Sequence, residues 1–206
     1  MNNMFASRST ALSRRSFLAG AVSGLAMLSA TPQAAFAFSS SQAEALITKT
    51  VRDINAIINS GKSESGMYRD FERVLVSYAD TPNIARSVLG PPARSASAAQ
   101  LNAFTKAFQG YISRKYGSRF REFIGGKIEV KKTQKINSIY EVSCTAILRG
   151  EAPFAISFIV ADRTGKFIDL TIEGISLLKS ERAEIGAMLD KAGGNIGTLT
   201  ARLKAT

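Results

Sequence analysis

Asp169 and Glu173 are the pair of acids whose spacing comes nearest to chemistry. Four residues apart in a segment that reads as extended, they fall on one face of a strand, and glycoside-type hydrolysis needs only two carboxylates. Nothing around them strengthens that reading. Two acids among the 16 of the chain need no special explanation, and no further polar cluster accompanies them. The chain has no histidine, which removes Ser-His-Asp and Cys-His nucleophile pairs and any zinc site with histidine ligands. Its single cysteine, Cys144, cannot form an internal disulfide and reads as a small buried hydrophobe. No glycine-rich phosphate loop is present. The residues describe a binder with no cofactor and no metal, and not an enzyme.

Charge points to the kind of partner. Residues 106–135 hold Lys106, Arg114, Lys115, Arg119, Arg121, Lys127, Lys131, Lys132 and Lys135 against Glu122 and Glu129. Arg114, Lys115, Arg119 and Arg121 stand within two turns and cannot all be buried unpaired, so they are expected to face a partner or an anionic head group. The leader narrows the choice of anion. Residues 1–37 run from Arg8, Arg14 and Arg15, with no acid, through an apolar stretch to Ala35-Phe36-Ala37, the order of a cleavable export signal. The apolar part falls short of the roughly 20 residues that cross a bilayer. Ser13-Arg14-Arg15-Ser16-Phe17-Leu18 also fits a twin-arginine signal. Cleavage after Ala37 is expected to leave residues 38–206 as one periplasmic domain, still basic because the leader takes only three arginines from a chain of net charge +11. Export removes nucleic acid from reach and leaves a lipid head group or an acidic protein surface.

The elements that must position these residues change character halfway along. Ser41-Gln42-Ala43-Glu44 has the form of a capping box, and Ile47, Val51, Ile54 and Ile58 recur at helical spacing until Gly61. Met67, Phe71, Leu75 and Tyr78 form a second stripe, and Thr81-Pro82 opens a shorter helix that ends at Leu89-Gly90 before Pro91-Pro92. Ser97 and Gln100 make another capping box, followed by Leu101, Phe104, Phe108, Tyr111, Ile112 and Tyr116. From Lys127 the period becomes two. Ile128 and Val130 begin one strand; Tyr140, Val142, Cys144, Ala146 and Leu148 line one face of a second; Phe154, Ile156, Phe158 and Val160 line a third. Residues 167–172 read as the fourth, and residues 180–189 and 195–203 as closing helices. The expected fold is α+β, a curved antiparallel sheet of about four strands covered by several helices. Small residues beside large ones on the apolar face, Cys144 and Ala146 beside Phe154 and Phe158, hint at a cavity.

Three segments carry a resemblance. These are Tyr78-Ala79-Asp80 with Ile84-Ala85-Arg86 and Leu89-Gly90, then Phe104, Ala107 and Phe108 with Tyr111 and Tyr116, then Asp169 to Leu178 with Arg182. Together they resemble the MlaC, or toluene-tolerance, family from about residue 41 to 203. The resemblance implies a soluble periplasmic carrier that holds the acyl chains of a phospholipid in an apolar pocket and leaves the head group outside. It implies as partners an inner-membrane ABC transporter with an MCE-domain protein and an outer-membrane lipoprotein complex, between which the carrier would maintain outer-membrane lipid asymmetry. The apolar faces supply the expected lipid contacts: Phe71, Leu75 and Tyr78; Phe108 and Tyr111; Tyr140, Val142, Cys144 and Ala146; Phe154, Ile156, Phe158 and Val160; Ile172 and Ile175. Where the family often has tryptophan, this chain has Pro91-Pro92 and Phe167. That difference leaves the cargo open between a glycerophospholipid and a hopanoid-like molecule, the second of which would also suit a periplasmic sensor or adaptor domain.

Overall fold

The first described helix, α1 (Ser40–Ile58), begins two residues earlier than its sequence signature suggests, because Ser39 and not Ser41 is the cap. Ser39 Oγ accepts a hydrogen bond from the Gln42 N–H and Gln42 Oε1 accepts one from the Ser39 N–H, a reciprocal capping box. Both serines start the pattern S-x-x-Q/E. Phe38 decides between them: its ring meets Tyr140 edge to face at 5.6 Å, and its carbonyl accepts from the Tyr140 hydroxyl. The computed structural model describes residues 38–206, apart from the Phe120 side chain, so the leader and its cleavage site lie outside the described residues.

α2 (Glu64–Tyr78) follows a cap by Ser63, and α3 (Thr81–Leu89) is capped by Asp80, with Thr81 and Pro82 its first two residues. After Pro91 and Pro92, α4 (Ala98–Gly117) starts at the expected Ser97–Gln100 box. Gly117 permits close approach of α2, since a Cβ there would stand 2.6 Å from Tyr68 Cδ1.

The strands β1 (Lys127–Ile136), β2 (Ile139–Ile147), β3 (Phe154–Ala161), β4 (Lys166–Ile172) and the two-residue β5 (Ile175–Ser176) form one antiparallel meander in chain order, open at both edges. The sheet thus has five strands where four were expected. β5 escapes a periodicity argument because it is only two residues long; a tight turn through Glu173 and Gly174, both at positive φ, folds it back on β4. α5 (Leu177–Asp190) begins directly after it, earlier than expected, and α6 (Ile196–Ala205) follows the Gly193-Gly194 break.

Two bulges bend the sheet, at Lys131 in β1 and at Ile168 in β4. The second matters most. Phe167 faces Val160, Leu170 faces Phe158 and Ile172 faces Ile156, so the extra residue at 168 turns Phe167 and Leu170 to the same inner face. Without it, residues three apart would point to opposite faces.

The helices cover the inner face unevenly. α1 lies on β1 and β2, where Ala43, Ile47, Val51 and Ile54 join Tyr140, Val142, Cys144 and Ala146 in one core cluster. Asn55 of α1 bonds the main chain of Ile128 through both its amide atoms, satisfying backbone of the edge strand. A second cluster, from α3, α4, α5 and α6, contains Val88, Phe104, Phe108, Ile185 and Leu199. α2 and α3 meet above β4, where Asp80 N–H donates to the Phe167 carbonyl at 2.9 Å. Among the described residues no helix is long and apolar enough to cross a membrane.

Candidate functional site

A cavity of about 210 Å³ separates the two core clusters, and apolar side chains dominate its walls. Its floor is the inner face of β3 and β4, through Ile156, Phe158, Phe167, Leu170 and Ile172. α1 and α2 supply Ile54, Ile58, Phe71, Val74 and Leu75. Opposite stand Ile84 and Val88 of α3, Phe108, Ile112 and Tyr116 of α4, and Leu177 and Leu178 of α5. Many of these, including Phe71, Leu75, Ile112, Leu170 and Ile172, are only half-buried although they face the protein interior. Apolar groups in that state have fewer packing partners than a close-packed core supplies, and an apolar guest can provide the missing contacts.

Of the fifteen residues expected to contact lipid, six line this cavity: Phe71, Leu75, Phe108, Ile156, Phe158 and Ile172. The others lie elsewhere. Tyr140, Val142, Cys144 and Ala146 are buried under α1, and Val160 is fully buried in the same cluster. The small side chains at 144 and 146, taken as a hint of empty space, instead admit the helix. Tyr78 points its hydroxyl at Asp53 Oδ2, 2.6 Å away. Tyr111 donates to Glu184 Oε1 at 2.6 Å. Phe154 packs on Phe123, ring centroids 6.4 Å apart, and Ile175 is 65% exposed on β5. The sequence reading missed Ile54, Ile58 and Ile84, whose helical stripes were legible, and Phe167 and Leu170, which needed the bulge.

The basic cluster divides in the same way. Arg114 donates to the Leu203 carbonyl at 2.6 Å, tying α4 to α6. Lys115 Nζ lies 2.7 Å from Glu181 Oε1 and 2.5 Å from Glu184 Oε2. Burial alone would pull the Lys115 ammonium down, but its bonds to the two glutamates outweigh that and hold it well above the ordinary lysine value. Arg119 and Arg121 are exposed; Arg119 stands 3.8 Å from Glu122 and lines the cavity, and Arg121 pairs with Glu64 at 2.8 Å. Of Arg114, Lys115, Arg119 and Arg121, only the last two are free to meet something outside the chain without breaking a buried contact.

The acid pair has been separated by the fold. Glu173 occupies the β4–β5 turn. Asp169 accepts from Ser176 Oγ at 2.6 Å and from the Leu178 N–H at 2.9 Å, while Ser176 caps α5 by accepting from the Lys179 N–H. Asp169 therefore fixes the start of the helix that forms one cavity wall. Cys144 is 3% exposed, and burial pushes its thiol up to about 12. Folded protein is accordingly expected to leave Ellman's reagent unreacted over an hour at pH 8, and to release one equivalent of chromophore once denatured in guanidinium. Prompt reaction of the native protein would mean that the α1–β2 contact opens readily.

A family model described as MlaC protein matches residues 48–205. Among solved structures, the chain is similar to one described as the phospholipid-binding protein from Ralstonia solanacearum in complex with a phospholipid. The two are 20% identical; the match covers 79% of this chain and 95% of that one, with a TM-score of 0.68. At that identity the likeness establishes the α+β fold.

Proposed function

This chain belongs to the MlaC family, and from that premise we propose that it is a periplasmic carrier which holds the acyl chains of a phospholipid in the cavity between its two cores. The observation that carries the reading is the cavity itself, an apolar space bounded by half-buried side chains with an arginine at its rim. The described complex of the Ralstonia solanacearum protein with a phospholipid supports the choice of cargo. Transfer between an outer-membrane lipoprotein complex and an inner-membrane ABC transporter with an MCE-domain protein is the role proposed for it.

The physics favours a carrier without an energy source of its own. Each methylene withdrawn from water is worth roughly 0.8 kcal/mol, so two chains with about 30 methylenes represent on the order of 24 kcal/mol. A free lipid does not cross water against that barrier. Inside a cavity of similar polarity to the bilayer, exchange is close to neutral, and any net drive enters at the transporter. A cavity of about 210 Å³ is below the roughly 300–1,000 Å³ of pockets that enclose drug-sized ligands, so loading requires its helical wall to yield.

Organic extraction of the purified protein followed by mass spectrometry tests the cargo. Stoichiometric phospholipid is expected; a hopanoid-like molecule would favour the sensor or adaptor reading, and an empty protein that takes up no lipid from vesicles would sink both. A second measurement concerns docking. The double substitution Arg119→Gln with Arg121→Gln removes exposed charges, so stability is expected to stay within about 0.5 kcal/mol. Transfer to membranes carrying the partner complexes is expected to slow and to lose part of its salt dependence. Unchanged transfer at both low and high salt would assign these arginines to solubility.

A further inference from the structure

From residue 81 to residue 121 the chain carries Arg86, Arg94, Lys106, Arg114, Lys115, Arg119 and Arg121 and no acid. Arg114, Lys115, Arg119 and Arg121 each meet an acceptor within the chain. Arg86 and Arg94 meet none, and neither does Arg182 of α5. All three are exposed and form no ion pair or side-chain hydrogen bond with any described residue. They gather around Gly90. The Gly90 N–H donates to the Arg86 carbonyl at 3.1 Å, and the Gly90 carbonyl accepts at 3.0 Å from Ala93, the residue before Arg94. Arg182 lies across the glycine itself: a Cβ there would stand 3.5 Å from a terminal guanidinium nitrogen, 3.8 Å from Cζ and 3.9 Å from Nε. Gly90 has a φ of 69°, a backbone that favours glycine, so the bare surface under the guanidinium comes with the turn.

The end of a helix accounts for only part of this. Gly90 follows α3, whose carbonyl end carries the equivalent of about half a negative charge, against three full positive ones. Nearby acids are committed: Asp80 caps the far end of α3 and holds the Asn83 amide, and Glu181 and Glu184 hold Lys115. A guanidinium stays charged at any working pH, and three of them without a carboxylate attract an anion from outside the chain. Large apolar side chains are exposed at Val76, Ile124, Ile136 and Ile175, none of them on α3, α5 or the 3₁₀ turn Pro91–Arg94. A protein that settles on a bilayer adds apolar anchors to its bases, so this face fits the carboxylates of a polypeptide better than lipid. It is also the back of a cavity wall, since Ile84 and Val88 of α3 and Leu177 and Leu178 of α5 line the cavity. We propose that Arg86, Arg94 and Arg182 form a docking surface for an acidic segment of a partner protein, on the outside of that wall. Such docking does not depend on which lipid the cavity holds.

The probes are a labelled oligoglutamate peptide and phosphatidylglycerol vesicles, each offered to the purified protein at low salt. The patch variant combines Arg86→Gln, Arg94→Gln and Arg182→Gln. A control combines Arg149→Gln, Arg163→Gln and Arg202→Gln, which removes the same charge from exposed arginines that also lack an ion pair but are spread over separate parts of the fold. The patch variant is expected to bind the peptide about tenfold more weakly than wild type, and the control to stay within about twofold. On vesicles the two variants are expected to behave alike. Equal losses of peptide binding in both variants would reduce the effect to net charge and overturn the surface, as would no loss in the patch variant. A patch variant that loses vesicle binding more than the control would make the occupant a bilayer and overturn the acidic polypeptide. Thermal denaturation checks folding. Should loss of the Arg182–Gly90 contact unfold the triple variant, Arg86→Gln with Arg94→Gln is expected to weaken peptide binding about threefold or more, and no loss there would overturn the proposal. None of these outcomes bears on lipid in the organic extract, which tests the carrier separately.

Discussion

Replacing Ile156 by tryptophan is expected to empty the protein of lipid without destabilising it. Ile156 is 4% exposed, lies on β3 opposite Ile172, and faces the cavity. An indole there extends into space that the lipid-free protein does not fill, so the overpacking cost of about 1–3 kcal/mol seen in close-packed cores does not arise. The melting temperature of the lipid-free variant is expected to match or exceed that of wild type, while phospholipid in the organic extract falls to near background. Val142 provides the contrast. It is fully buried, outside the cavity, and packed beneath α1. Val142→Trp is therefore expected to lose that 1–3 kcal/mol or more, and to keep its lipid if it folds. Ala155→Trp, on the exposed face of β3, controls for the indole itself. An Ile156→Trp protein that melts lower and still carries lipid would show that this part of β3 is ordinary core.

The second large effect is expected at Lys115, whose removal should weaken the fold rather than binding to a partner. In Lys115→Met the Glu181 side chain, 4% exposed, keeps only the Tyr116 hydroxyl, and Glu184 loses its cation. Breaking a buried pair from one side costs roughly 3–5 kcal/mol; Lys115 is 31% exposed, so water makes good part of the loss and about 2–3 kcal/mol is expected. For a domain of this size that lowers the melting temperature by roughly 5–10 °C.

The dependence on pH carries a definite sign. Glu184 is held below the ordinary carboxylate range, first by its hydrogen bond from Lys115 and then by that from Tyr111. A depressed carboxylate stabilises the fold above its unfolded pKa, and that contribution disappears as pH falls through the folded value. Lys115 is raised, so its contribution is complete below the ordinary lysine value and disappears only as pH rises through the folded one. The gap between wild type and Lys115→Met is thus expected to be widest between these ranges and to narrow as Glu184 protonates in acid. Denaturant titrations at neutral pH and below pH 4 measure it. A gap that is absent at neutral pH would return Lys115 to the surface cluster the sequence suggested.

The sequence by itself determined the class of fold and the kind of chemistry. Absence of histidine excluded the usual nucleophile pairs, and the change of period from 3.6 to 2 at Lys127 separated helices from strands, because both signals are local and additive. Segments such as Tyr78 to Gly90 carried the family resemblance in the same local way. Only the tertiary structure decided which half of the apolar face is hollow. Tyr140, Val142, Cys144 and Ala146 alternate as regularly as Ile156 and Phe158, yet α1 closes over the first set and leaves part of the second open, and no periodicity along one strand reports which helix will cover it. The bulge at Ile168 depends on pairing with β3, so the inward turn of both Phe167 and Leu170 was invisible to a period of two. The charges follow the same rule. Arg114, Lys115, Arg119 and Arg121 look alike in a run of residues, but Leu203, Glu181 and Glu184, which set the first two apart, come from helices more than 60 positions away. A charged side chain's environment is fixed by what folds against it, and that information is not carried by its neighbours in the chain.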